Sequence, residues 1–405
     1  MGVSHASAVP LLRSADEAVA VAHQVAETLA EGAAERDRAG AACVPRDALA
    51  VLDGSGLLAI TVPEAFGGAD LGPEALAEVI RVVAAVDPAI AQVPQVHYLF
   101  VDVLRVWGDE ALQARLFADV LGGGRIGNAL AERGGKHAQD LKTRVVDQDG
   151  GAILRGRKYY CTGALTAQWI GVSALDAGDR LVVAFVERDA PGVEVGDDWD
   201  VMGQRATISG TTTFDDVAVD PALRLDYARA FEVPQQLGAR AQLVHAAIEV
   251  GIAGGALRDA RAFLRERARP SSEAVRYGAG APAGDPHVLH RYGRIAARVG
   301  AAEALLRDAA RTLDAIGLVP ADDEAAARGS LAVAAAKAFG SEVAVDAGSE
   351  LFALCGTSAA DARHDLDRHW RNARTHSVHD PVDWKYHHIG AFALADVLPP
   401  NHGQL

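Results

Sequence analysis

The chain has 405 residues, half of them hydrophobic, and 39 Lys and Arg against 54 Asp and Glu give it a formal net charge of −15. That length exceeds what one compact core usually fills, so two or three packed units are expected. The charge argues against nucleic acid or an anionic membrane surface as partner, because phosphate recognition needs clustered Lys and Arg.

Cys43, Cys161 and Cys355 are far apart and form no CxxC pair. This fits a reducing cytoplasm and excludes a thiolate zinc site. No basic stretch followed by an apolar run opens the chain, so no signal peptide is expected. No run of about 18 apolar residues occurs, so no membrane-spanning helix is expected.

In chain order, residues from Ser14 to about Val120 read as helical. Ala15 to Ala39 repeats apolar residues at spacings of three and four, with Ser14 as N-cap and Glu17 three residues on. A Gly-rich loop follows, then a helix with Pro73 in its first turn, where the missing N–H costs little. From about Arg125 to Leu225 short β-rich runs such as TRVVDQDGGAILRGRKYYC and TTTFDDVAVD are cut by Asp-Gly, Gly-Asp and Pro-Gly turns. They read as antiparallel strands and hairpins. Helical pattern returns after Tyr227 and runs to about Leu394 in three long amphipathic stretches, the third closed by Gly356. The divisions are therefore a helical unit over 1–124, a β unit over 125–228 and a helical bundle over 229–405.

The stretch HWRNARTHSVHDPVDWKYHHIG, residues 369–390, carries five histidines. His376 and His379 are three apart and could share a helical face, but HExxH is absent and no third zinc ligand stands at defined spacing. Pro381 should end or bend the helix there. His387 and His388 point to different faces, so at most one lines any given site. His379, beside the helix-breaking His-Asp-Pro, is the best placed to meet a ligand, and an imidazole can give or take a proton at neutral pH. The other histidines read as surface residues or satisfied core groups.

GRKYYCTGALTAQWI, residues 156–170, reads either as an aromatic strand entering a turn or as backbone lying against a flat ligand. In the second reading Gly163 and Ala164 allow close approach and Thr162 offers a hydroxyl. The glycine pair in ALAERGGKHAQD could form an anion-binding nest. No GxGxxG precedes a helix, and no Walker loop or GxSxG elbow occurs. Arg267 and Arg269 sit at a helix end, either on a solvated face or as a phosphate clamp.

Taken in order, these motifs resemble the acyl-CoA dehydrogenase superfamily over nearly the whole chain. VPEAFGG is similar to the superfamily's P-E-x-x-G-G loop, and ALAERGG to its T-E-P-x-x-G flavin strand. GRKYYCTGA is similar to G-x-K-x-W-I-T-N. MGQRATISGTTTFDDVAV matches G-x-R-x-S-x-x-x-x-x-F-x-D-V-x-V. DDWDVMGQR, IGNALAERGGKH, the histidine-rich stretch and PPNHG resemble its flavin monooxygenase branch, which holds the dibenzothiophene monooxygenases and the sulfur-acquisition oxidoreductases. The resemblance implies a mainly α fold with an N-terminal helical domain, a central antiparallel β-barrel or sandwich domain and a C-terminal four-helix bundle. It implies a cytoplasmic homotetramer that takes reduced FMN from a separate NAD(P)H:flavin reductase, without a stable complex. The flavin would react with O2 to form a C4a-peroxide and oxygenate a small organosulfur substrate.

Residue by residue, the resemblance places Thr162 near flavin N5, makes Asn128 an active-site residue and sets His379 to hold or protonate the oxygenated flavin. Asn128, Leu130, Tyr160, Thr162, Gly163 and His379 would contact the flavin. Arg267 or Arg269 would bind its phosphate from a neighbouring subunit. His97, Tyr98 and Trp199 would line the substrate pocket. Ala131 departs from the hydroxyl residue of the flavin strand, so one flavin hydrogen bond must come from elsewhere. Two other readings stand beside this one. One is an FAD-dependent acyl-CoA dehydrogenase with Asp380 as base, although Asp380 is shorter than the usual Glu and the alternative base position holds Ala241. The other is a non-catalytic binding subunit on the same fold.

Overall fold

A computed structural model describes residues 9–136, 140–148 and 151–402. The stretch read for a leader, and His137 and Gly403 at the ends of two motifs, lie outside the described residues. Helices α1 (Ala15–Ala30), α2 (Ala33–Ala39), α3 (Arg46–Asp53), α4 (Pro73–Ala84), α5 (Pro88–Gln92), α6 (Gln95–Trp107) and α7 (Glu110–Leu121) come first. The Ser14 hydroxyl accepts from the Glu17 N–H at 3.2 Å and starts α1, which buries Ala18, Ala22, Val25, Ala26 and Leu29. The helix expected to run to Ala39 instead breaks at Gly32, which takes a left-handed φ of 87° between α1 and α2.

Strands β1 (Ile126–Ala129), β2 (Arg144–Gln148), β3 (Gly151–Lys158), β4 (Trp169–Leu175), β5 (Leu181–Glu187), β6 (Val193–Val195), β7 (Thr212–Val219) and β8 (Arg224–Leu225) form one sheet. Its order is β6-β7-β3-β2-β4-β5-β8, with β1 paired to β4. The adjacent pairs β2–β3, β4–β5 and β6–β7 are antiparallel, as turn-cut runs require. Two pairings depart from that expectation. The far edge of β4 runs parallel to β1 (Asn128 opposite Gly171) and touches β2 in parallel at Arg144 and Leu175.

β4 is buried on both faces. Trp169 packs with Phe100, Phe117 and Phe185 against α6 and α7. Ile170, Val172 and Ala174 share a second cluster with Val145, Leu154, Phe214 and Val217 from three other strands, so the sheet curls around its own core.

The last third holds α8 (Leu237–Glu266), α9 (Ser272–Arg276), α10 (Pro286–Ile316), α11 (Asp323–Cys355), α12 (Asp367–His376) and α13 (Val382–Ala395). The long helices α8, α10 and α11 pack on one another, and α12 and α13 complete the bundle against α11. Gly356, at φ 73°, stops α11 as its position predicts. Pro381 separates α12 from α13. α4 also packs on α8, and a buried Asp102–Arg240 pair at 2.7 Å ties α6 to α8. The first helical unit and the bundle thus meet along the first half of α8, and Leu237 at its start joins the cluster of Trp169 and Phe185.

Candidate active site

Two groups of functional side chains form, one at the end of β1 and one at the end of α12. In the first, the Asn128 N–H donates to the Thr162 carbonyl at 3.0 Å. The Asn128 amide donates to the Tyr160 carbonyl at 3.1 Å and accepts from the Leu130 N–H at 2.9 Å. This sets Asn128, Leu130, Tyr160 and Thr162 on adjoining backbone. Gly163, at φ 73°, turns the chain directly after Thr162; a Cβ there would sit 3.0 Å from Val93 Cγ1. The Thr162 hydroxyl meets Ser209 at 2.7 Å, and Ser209 meets Thr207 at 2.8 Å. Thr207 and the Trp199 indole both donate to the Gln204 carbonyl, at 2.9 and 3.0 Å. Trp199 is buried and packs edge-on to Tyr160, which is half exposed.

A buried ion pair missed in the sequence holds this group from behind. Lys158 Nζ lies 2.8 Å from Glu132 and within hydrogen-bond reach of the Leu130 carbonyl and Ser173. Glu132 also accepts from the Thr143 N–H and hydroxyl. The strand beyond β1 is therefore fixed by charge-assisted hydrogen bonds in a dry setting, where such bonds are strong.

The second group is the histidine cluster. His376 is the last residue of α12, and the chain turns out of the helix before His379, so the two do not share a helical face. Instead both rings converge on His245 of α8. His245 Nδ1 and His376 Nε2 are 3.2 Å apart, and the His245 and His379 ring centroids are 4.1 Å apart. His245 and His376 are fully buried, whereas the His379 side chain is 47% exposed. His379 Nδ1 lies 3.2 Å from Asp380 Oδ2, and Asp380 is almost completely buried. The approach is at ion-pair distance, but Oδ2 accepts no well-aligned hydrogen bond among the described residues.

Three further charged groups surround the cluster. Lys337 of α11 and Glu249 of α8 form a pair at 2.6 Å with no exposure on either side chain. Lys385 of α13 is buried beside them. Burial, with the neighbouring His379 and His376, pushes the His245 imidazole well below its usual range, and burial with Lys337 does the same for His376. Burial opposes ionisation of Asp380, but the adjoining His379 and the buried Lys337 outweigh it and hold the carboxyl well below the usual carboxylate range. The cluster therefore presents two neutral buried imidazoles, one persistent carboxylate and one half-exposed imidazole.

The two groups meet through α12. The Gln204 N–H donates to the Asn372 side chain, and a Cβ on Gly203 would lie 2.1 Å from the Arg371 carbonyl, so the loop carrying Trp199 seats flush on the helix. Asn372 and His376 are one helical turn apart, about 6 Å. A cavity of about 330 Å³ opens beside the cluster, lined by Asp380, Pro381, Trp384, Lys385, His388, Pro400 and His402. Of the adjacent pair His387 and His388, only His388 lines it.

Other expected site residues lie apart. His97 Nδ1 accepts from the Ile126 N–H at 3.2 Å and Nε2 sits 2.9 Å from the Leu58 carbonyl, so both nitrogens are engaged by backbone. Burial pulls this imidazole down to about 4. Tyr98 is buried and donates to the Leu57 carbonyl at 3.0 Å. His97 thus ties β1 to the turn at Leu57–Ala59, and Tyr98 ties α6 to that same turn. Arg267 and Arg269 are exposed beyond the far end of α8, about 33 Å along the helix from His245 at 1.5 Å per residue. Within one chain they do not join the cluster. His245, Glu249 and Lys337 were not singled out in the sequence. Their signal was an ionisable residue alone in an apolar helical run, with His245 and Glu249 four apart and thus on one face.

The comparisons with known proteins agree with this architecture. Three acyl-CoA dehydrogenase family profiles match in order: the N-terminal domain over residues 16–124, the middle domain over 129–217 and the C-terminal domain over 243–384. A Pseudomonas putida protein described as "Probable FMNH2-dependent monooxygenase SfnC" is 35% identical over 94% of this chain and 96% of its own. A dibenzothiophene monooxygenase of Rhodococcus erythropolis is 32% identical over 95% of this chain and 94% of its own. Among solved structures, FMN-bound TdsC from Paenibacillus sp. A11-2 superposes with a TM-score of 0.90 at 28% identity, covering 96% of this chain and all of that one. The methanesulfinate monooxygenase MsuC from Pseudomonas fluorescens gives 0.87 at 30% identity, covering 96% and 99%. With its three domains matched in order and its relatives aligned over nearly the whole chain, the chain belongs to the acyl-CoA dehydrogenase family, in the branch of the flavin-dependent monooxygenases.

Proposed function

We propose that the chain is a two-component monooxygenase that uses reduced FMN and O2 to oxygenate a small organosulfur compound. The observation that carries this reading is the burial of the Asp380 carboxylate and its pairing with His379. An acyl-CoA dehydrogenase needs a basic, accessible carboxylate to take a substrate proton. Asp380 is buried, paired to His379 and held in a weakly basic state, and Ala241 occupies the alternative position. A half-exposed imidazole backed by neutral ones suits a different task, namely presenting a proton to an oxygen atom.

The residues present fit a flavin ring. Backbone at Asn128–Leu130 and Tyr160–Gly163 offers a flat surface, and the buried Gln204 amide and Thr375 hydroxyl have no hydrogen-bond partner among the described residues. A heteroaromatic ring edge with alternating donors and acceptors would satisfy such atoms. When bound, reduced FMN supplies two electrons, so that one atom of O2 goes to the substrate and the other to water. Thr162 and Asn128 orient the ring, and Trp199 closes one side and excludes water, which protects the reaction from wasteful loss of peroxide. His379, with Nδ1 toward Asp380, keeps Nε2 for a proton aimed at the reacting oxygen. Arg267 and Arg269 take the flavin phosphate from another copy, which makes the working unit an oligomer. The reduced flavin comes from a separate reductase in the cytoplasm.

The test mixes the purified protein with reduced FMN anaerobically and then with oxygenated buffer, with methanesulfinate or dibenzothiophene as trial substrates. Product bearing one atom from ¹⁸O2 is expected, and His379→Ala should lower product per FMN oxidised by about tenfold or more while raising hydrogen peroxide, with the fold intact. Reoxidation at the free-flavin rate without product would overturn the reading. Tightly bound FAD bleached by an acyl-CoA would replace it with a dehydrogenase.

A further inference from the structure

The geometry assigns Asp380 and His245 as positioning residues that clamp His379 from two sides, so that its Nε2 is the nitrogen left facing the open side of the site. The inference rests on the reading that His379 meets the reacting oxygen. Neither residue needs to touch flavin or substrate.

Three observations converge. Asp380 Oδ2 stands 3.2 Å from His379 Nδ1. A carboxylate there favours the tautomer with the proton on Nδ1 and, by Coulomb attraction, positive charge on the ring as a proton passes through Nε2. Next, the His245 ring lies against the His379 ring at 4.1 Å between centroids, tilted by 36°, and is itself held through Nδ1 by His376. The His379 ring therefore cannot swing away from the site without losing this contact. Finally, the cage behind these residues is rigid. His245 and Glu249 come from α8, Lys337 from α11, His376 from α12, Asp380 from the following turn and Lys385 from α13. All six are buried. Lys337 and Glu249 neutralise each other at 2.6 Å, while the Asp380 carboxylate faces the buried Lys385 as well as His379. A site on which only His379 is half exposed, with every supporting group buried, is arranged to deliver one proton at one atom.

The test uses full-length protein loaded anaerobically with reduced FMN and mixed with oxygenated buffer, with no organic substrate. It records flavin reoxidation and hydrogen peroxide release from pH 5.5 to 8.5 for wild type, Asp380→Asn, Asp380→Glu and His245→Asn. Thermal melting and binding of oxidised FMN check folding. At pH 7.5, Asp380→Asn should release peroxide about tenfold faster than wild type, and acidification should restore slow release because protons compensate for the missing charge. Asp380→Glu should keep most of the wild-type behaviour. His245→Asn should speed release at every pH, because it frees the ring without removing the carboxylate, and it supplies an independent test if Asp380→Asn folds poorly. Wild-type rates in both variants, or a loss in Asp380→Asn that is the same at every pH, would overturn the assignment and leave the proposed function standing. Free-flavin reoxidation by the wild type itself would instead remove the proposed function, and this assignment with it.

Discussion

At the scale of single residues, the buried charges decide most. Lys337 and Glu249 have no exposed side-chain surface and face each other at 2.6 Å. Burial pushes the Glu249 carboxyl up, and Lys337 opposes that push. Removing one partner of such a pair leaves an uncompensated charge in a dry place, which costs about 3–5 kcal/mol. Lys337→Met should therefore lower the stability read by urea unfolding by about that amount. Lys337→Met combined with Glu249→Leu should recover most of the loss, because well-packed apolar groups replace a buried pair at little cost. If the double variant is no more stable than the single one, the pair holds the cluster by more than mutual charge. The Lys158–Glu132 pair behind β1 has the same logic but a different consequence. It fixes the Leu130 carbonyl, so Lys158→Met should weaken FMN binding as well as stability, by about tenfold in a fluorescence titration.

At the scale of elements, α12 joins the sheet's site to the bundle's site. It does so by close backbone approach. A Cβ on Gly348 of α11 would lie 2.7 Å from Trp370 Cα and 2.8 Å from its N, distances that a rigid helix backbone cannot relax. Gly348→Ala should push α12 off α11 and cost about 1–3 kcal/mol, the usual price of overpacking. Because α12 carries both Asn372 and His376, product formation should fall more than stability alone explains, read as product per FMN oxidised at a temperature well below melting. Helix propensity acts in the other direction, since Ala is the better helix former. Full activity with raised stability would show that α12 has room to move.

For the whole molecule, three of the four imidazoles buried among the described residues shape the response to acid. His97 is pulled down to about 4 from an ordinary value of 6.5, mainly by burial. His245 and His376 are likewise lowered well below that ordinary value, mainly by burial, with Lys337 adding to the effect. In the unfolded chain all three take up protons as pH falls through about 6.5, while the folded chain resists. The unfolded state then binds more protons, so stability falls as pH falls across that window. Asp380 acts in the same sense at lower pH, where its protonation in the unfolded chain precedes that in the folded one. The melting temperature should drop steadily from pH 6.5 towards 4, with unfolding linked to uptake of more than one proton. A flat profile over that range would mean that these imidazoles are charged in the folded protein.

The sequence by itself determined the order of the units, because periodicity is local. Ser14, Pro73, Gly356 and Pro381 act through hydrogen bonds and backbone torsions within a few residues, so their effects are legible in a linear string. The motifs around Asn128, Thr162 and His379 were legible too, since each is contiguous. What lay beyond the string were partnerships between distant residues. The β1–β4 parallel pairing, and the seat of His245 against His379 across 134 positions, depend on which faces the helices and strands bury. A lone His, Glu or Lys in an alanine-rich helix signals a buried polar group, but not its partner. The same limit applied to His97 and Tyr98. Their types suit a pocket, yet the fold places Ile126 N–H and the Leu57 and Leu58 carbonyls against them. Burying a polar side chain requires that some nearby group complete its hydrogen bonds. Only the tertiary structure decides whether that group is backbone, another side chain or a ligand.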